Sequence, residues 1–150
     1  MGKKKIGEQD TNEALAEASK IESQVSAAAG QSVKKKTASG KVYVRSSYNN
    51  TIVTVTDEKG KVLFWSSAGS IGFTGPKKAT PFAASKIVAA LTEKMKKAGM
   101  SEIEIIVSGV GGGRDSSVRS FANQGFTIRA IKDVTPIPHN GPKPRKTRRV

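Results

Sequence analysis

Two stretches of this chain carry groups whose type and spacing suit gripping a polyanion. Residues 136–150 read PIPHNGPKPRKTRRV, with five cations (Lys143, Arg145, Lys146, Arg148, Arg149), four prolines and no acid. Proline at that density fixes φ and removes backbone donors, so the segment is expected to be an extended basic tail, neither helix nor central strand. Such a tail either lies along phosphates or simply keeps the chain soluble. The second stretch is Gly109-Val110-Gly111-Gly112-Gly113-Arg114-Asp115. Glycines let a backbone approach an anion, a following helix offers unpaired N–H groups, and the Arg114 fork matches phosphate. It is not a dinucleotide fingerprint, because G-x-G-x-x-G counted from Gly109 needs glycine where Arg114 stands, and no Gly-Lys-Ser/Thr follows. A tight turn without ligand is the other reading of this loop, with Asp115 as the helix N-cap. Phosphate of a larger polymer is the preferred ligand, and losing Arg114 is then expected to weaken RNA binding.

Other chemistries lack their residues. There is no cysteine and one histidine, His139, so thiolate metal sites, thiol nucleophiles and disulfides are out, and no cofactor or metal is expected. Metal-dependent phosphoryl transfer needs several gathered carboxylates. Here the first strand, KVYVRSS, holds none, Asp57 and Glu58 sit in a turn, Glu102 and Glu104 lie on the outer face of a strand, and Asp133 is near a strand end. The chain is expected not to be an enzyme. Asn140-Gly141 is a possible isoaspartate site, since an unhindered glycine amide can attack the asparagine side chain. The free protein is expected to age there, and peptide mapping that found Asn140 intact after long mildly alkaline incubation would refute this.

Charge points to a partner. The chain has 150 residues, 26 Lys or Arg against 12 Asp or Glu, and a net charge of +14, with pI about 10.2. Release of counterions from a phosphate backbone makes nucleic acid the default partner. An anionic membrane would need a basic helix with a bulky apolar face, which the tail lacks, and no apolar run approaches the ~20 residues that span a bilayer. MGKKKIGEQD has no apolar core for a secretory signal, so a cytoplasmic setting is expected.

The elements that must hold these groups follow from periodicity. Residues 1–36 are expected to form a mobile extension: Asn12 caps a helix over Glu13–Ala29, whose seam of Ala14, Ala18, Ile21, Val25 and Ala28 is too thin to hold alone. It either becomes helical against a partner or is a leader with no role of its own. Residues 37–135 form the core domain and 136–150 the tail. KVYVRSS and NNTIVTVTD alternate as strands joined by Ser47-Tyr48-Asn49-Asn50, and Asp57–Gly60 turns into KVLFWSS. Phe64 and Trp65 point to opposite faces: one is expected in the core and the other either stacks on a base or covers a helix, with core the preferred place for both. Thr80-Pro81 opens a helix to Ala98 with Ala84, Ile87, Val88, Leu91 and Met95 buried, and Gly99 stops it. EIEIIVSG is the fourth strand, a helix follows Asp115 up to Gly125, and FTIRAIKDV is the last strand. The order βββαβαβ predicts an α/β fold with a mixed five-stranded sheet, three layers and ribonuclease H-like topology. Between the third strand and first helix, Ser66–Lys78 is irregular, small-residue backbone suited to moulding onto RNA; Lys77 and Lys78 alone could equally be plain solvated lysines.

Four motifs in order, NNTIVTVTD, WSSAGSIGFTGPKKATPFAA, SGVGGGRDSSVR and DVTPIPHNG, resemble the family of the universal small-subunit ribosomal protein number eleven, in its bacterial form. The likeness covers roughly residues 34–150. It implies a structural ribosomal RNA-binding protein of the small (30S) subunit platform, bridging RNA helices beside the Shine–Dalgarno mRNA exit cleft, in the cytoplasm or an organelle of bacterial descent. It also implies platform neighbours numbered six, seven, eighteen and twenty-one, and no small-molecule substrate. The RNA-binding residues so expected are Arg45, Asn49, Asn50, Ser66, Ser67, Gly69, Gly72, Lys77, Lys78, Gly111, Gly113, Arg114, Arg119, His139, Asn140, Lys143, Arg145, Lys146, Arg148 and Arg149. The chain departs from the family pattern in Pro142-Lys143-Pro144-Arg145, in Asp115 where glutamate is usual, and in a longer leader. Two rivals remain: a nucleotide-binding enzyme on the glycine loop, indifferent to loss of residues 136–150, and a basic coating protein that takes any polyanion equally.

Overall fold

Five strands and two helices alternate in the order that sets up parallel crossovers. The computed structural model describes residues 38–143, 145 and 146; the leader helix expected over Glu13–Ala29, and Arg148 and Arg149, lie outside them. Strands β1 (Ser39–Ser46), β2 (Thr51–Thr56) and β3 (Val62–Ser67) come first. Helix α1 (Pro81–Lys97), strand β4 (Glu102–Ser108), helix α2 (Gly113–Asn123) and strand β5 (Thr127–Asp133) follow. The sheet order is β3-β2-β1-β4-β5. The two hairpins are antiparallel, and β1–β4 and β4–β5 are parallel, giving the mixed five-stranded sheet expected.

Local chemistry explains the element ends. The Thr80 hydroxyl accepts from Ala83 N at 3.2 Å and Pro81 is pre-set for the first turn of α1. Past Ala98 the chain escapes at Gly99, φ +80, a conformation that costs glycine nothing. Ala84, Ile87, Val88, Leu91 and Met95 are all fully buried, as the 3.6-residue spacing requires. Ile87, Val88, Leu91 and Met95 share one core with Val42, Val44, Val53, Val55, Ile103, Ile105 and Val107, the sheet residues of one parity, none more than 2% exposed. Each fully buried Leu or Ile contributes roughly 1.5–3 kcal/mol.

The layer count differs from expectation. Both crossovers step across the sheet in the same direction, so the right-handed rule puts both helices on one face. There they pack together, with Ser120 Oγ donating to Ser85 Oγ at 3.1 Å. The described residues therefore form two layers rather than three, and the opposite sheet face is open. Trp65, expected in the core, lies on that face and is 61% exposed, while Phe64 packs against the core.

Helix α2 also starts earlier than expected. Gly112 precedes its first residue without a side-chain cap, and Asp115 lies inside the first turn. The Ser116 and Ser117 hydroxyls donate back to Gly113 O. Gly113 permits this start because a Cβ there would run into the Thr51 hydroxyl and meet Ala84 Cβ at 3.1 Å. Asp115 therefore serves the positive helix end as a first-turn acid, not as a cap.

Candidate nucleic-acid interface

The loops singled out as RNA contacts lie at one end of the sheet, where the parallel strands β1 and β4 terminate. This is the end at which open α/β sheets gather ligand-binding loops. The β1–β2 turn is closed by Ser47 N donating to Asn50 O at 2.9 Å, and Asn50 Oδ1 accepts from Thr51 N at 3.0 Å. Asn50 is thus half spent on its own turn. Tyr48 and Asn49 project from the tip, with Tyr48 79% exposed.

The connector after β3 is held from within. Ser70 Oγ donates to Ser67 O at 2.8 Å and sits 3.2 Å from Ser66 Oγ, while Ser67 N donates to Ser70 Oγ. Ala68 N reaches across to Thr51 O at 3.1 Å. The hydroxyls expected to meet RNA at Ser66 and Ser67 therefore shape the loop, and Ser66 is buried. Gly72, φ +98, lets the chain reverse. Gly69, Gly72 and Lys77 are exposed and Lys78 is half-buried along the outer rim of this loop. Phe82 stands beside it, exposed, edge-on to Phe73 and under Lys86 Nζ at 5.6 Å from its ring centre.

The glycine loop turns inward. Gly111 N donates to Ser46 O at 3.1 Å and Gly109 N to Thr135 Oγ1 at 3.1 Å. A Cβ on Gly109 would collide with Ser46 O, and one on Gly111 with Ser47 O. Gly111 and Gly113 are buried, and they let the loop close against the β1–β2 hairpin and α1. The exposed members are Val110 and Gly112, neither of which stood out in the sequence.

Arg114 is likewise committed inside the chain. Its Nη1 donates to Gly109 O at 2.9 Å and Thr135 Oγ1 at 3.1 Å, and its Nη2 pairs with Asp133 Oδ2 at 2.6 Å. The Thr135 hydroxyl and N–H both donate to Asp133 Oδ1. The Arg114 hydrogen bond, then those from Thr135, hold the Asp133 carboxyl far below the usual carboxylate range; the Asp133 bond raises the arginine in turn. The Arg114 fork thus ties the end of β4 to the end of β5. That tie sets where the tail departs.

Beyond it the chain has no helix or strand among the described residues. His139, Asn140, Lys143, Arg145 and Lys146 are exposed, and Asn140 alone among described non-glycine residues has positive φ, +52. Arg45 lies on the open face one residue before the end of β1, and Arg119 is exposed on α2.

The ribosomal protein S11 family model matches residues 40–149. The chain belongs to the ribosomal protein S11 family. It is 53% identical over 119 residues to the small ribosomal subunit protein uS11 of a Nitratiruptor species, covering 79% of this chain and 92% of that protein. With the uS11 of a Sulfurovum species it shares 50% over 123 residues, 81% of this chain and 99% of the relative. The Treponema pallidum (strain Nichols) uS11 is 48% identical over 117 residues, 78% of this chain and 93% of the relative. An S11-family chain is a structural ribosomal protein rather than an enzyme, so the interlocked glycine loop needs no bound nucleotide to account for it. Sequence reasoning missed Tyr48 and Phe82 as accessible rings; the signal available for Tyr48 was an aromatic at a turn tip.

Proposed function

We propose that this chain is a structural constituent of the small ribosomal subunit that binds its ribosomal RNA on the platform. One observation carries the reading: the β1–β2 tip, the connector rim and the basic tail all issue from the same end of a rigid sheet. The α/β core acts as a spacer, and recognition follows RNA shape and phosphate position more than base edges. Asn49, the Gly69–Lys78 rim, Arg45 and the tail cations meet phosphates. Arg114, with Asp133 and Thr135, positions the tail without itself being spent on RNA. On this reading the protein lies beside the Shine–Dalgarno mRNA exit cleft, with platform proteins six, seven, eighteen and twenty-one as neighbours.

The test is binding to the folded central-plus-3′ small-subunit RNA, titrated against salt with a shuffled RNA as competitor. A steep slope, about −0.7 per single-stranded phosphate contacted, with preference for the folded target supports the reading. Equal binding to the shuffled RNA would reduce the chain to a general polyanion binder.

A further inference from the structure

The open sheet face is not used by any group discussed above except Arg45, and its composition is uneven. Strand registers place Trp65, Thr54, Tyr43, Ile106 and Lys132 in one row across all five strands. The next row, toward the loop end, holds Ser67, Ile52, Arg45 and Ser108. No acid occurs in either row. The face's acids begin in the row on the other side, where Glu104 pairs with Lys132 of the first row at 2.5 Å, and beyond it Arg129 approaches Glu58 and Glu102 at 3.9 and 3.8 Å. Two rings stand free on the acid-free half, Tyr43 at 38% and Trp65 at 61% exposed. Arg45 beside them is exposed and has no ion pair among the described residues.

Resting on the RNA-binding reading, we infer that this half of the open face is a second RNA surface, on which unpaired bases stack on Tyr43 and Trp65 while Arg45 takes the phosphate between them. Exposed aromatics on a sheet, flanked by cations, provide π-faces for unstacked bases and counter-charge for their backbone. Arg45, with no acid in its row, complements a phosphate, and a protein with net charge +14 meets few other partners in which flat apolar groups and phosphates alternate. One strand separates the two rings, which puts them about 10 Å apart at the usual strand spacing. Bases in a continuous stack are only about 3.4 Å apart. The two rings therefore take bases splayed from each other, as in a loop or an extended single strand, and reject a duplex.

Trp65 is the chain's single tryptophan, so its emission reports this face alone. The full-length protein is titrated with a short unstructured RNA and with an abasic RNA of the same length. The base-bearing RNA is expected to quench Trp65, and the abasic RNA to bind without quenching. Trp65→Ala and Tyr43→Ala are each expected to weaken the base-bearing RNA by roughly 5- to 150-fold with the salt slope unchanged, whereas Tyr43→Phe keeps affinity. Arg45→Ala is expected to flatten the slope by about 0.7. RNA binding that leaves Trp65 emission and both alanine variants unaffected overturns the stacking surface while sparing the proposed function. Absence of any RNA binding overturns both. Emission that shifts with protein concentration alone would mark a second copy on this face, and also overturns it.

Discussion

Replacing Gly109 by alanine separates a glycine kept for packing from one kept for a bound phosphate. Gly109 has φ +94, and a Cβ there would run into the backbone carbonyl of Ser46. The left-handed conformation costs an L-residue roughly 1–2 kcal/mol. The clash is with main chain that is itself hydrogen-bonded to Gly111 N, so relieving it resembles overpacking, roughly 1–3 kcal/mol. The sum, about 2–5 kcal/mol, is a large part of the 5–15 kcal/mol typical of a domain. Gly60 is the internal control: φ is +87 and nothing lies within 4 Å of its Cβ position, so Gly60→Ala should show the conformational cost alone. Urea unfolding of both variants, followed by far-UV circular dichroism, measures the difference. The expected result is Gly109→Ala less stable than Gly60→Ala by at least about 1 kcal/mol, with RNA affinity per folded molecule little changed. Equal stabilities, together with lost RNA binding, would refute the packing argument and return the loop to phosphate recognition.

Three further outcomes follow from the same geometry. Replacing Lys143, Arg145 and Lys146 together should flatten the RNA salt slope by up to about 2 if each meets a phosphate, at roughly 0.7 apiece; an unchanged slope would show the tail to be only solubilising. Thr92 Oγ1 is buried with no hydrogen-bond partner among the described residues, so Thr92→Val should raise stability by about 1 kcal/mol, and a lower urea midpoint would contradict this. Asp133 is held below its ordinary value of 3.8, so its contribution is present above that pH and lost only as pH falls further below it. In Asp133→Asn that acid limb should vanish from the stability profile, while a profile identical to the parent's would show that the Arg114 tie contributes nothing.

The elements themselves were legible because they depend on neighbours in the chain. Alternation in KVYVRSS, the Thr80-Pro81 start, the Gly99 stop and the Asp57–Gly60 turn are short-range sterics and hydrogen bonding, and each stands in the structure where it was expected. The charge excess, the cation-rich, proline-spaced tail and the four family motifs likewise needed no coordinates. What the chain could not disclose locally is which of its polar groups are spent on one another. The Arg114 fork looks unpartnered until β5 brings Asp133 and Thr135 alongside it, nineteen residues or more away in sequence. The Ser66 and Ser67 hydroxyls look free until Ser70 folds back on them. Trp65 looks like core until the handedness of both crossovers sends the two helices to the other face. Hydrophobicity and propensity belong to single residues and short windows, whereas satisfaction of a donor and coverage of a sheet face depend on which distant segments the topology brings together.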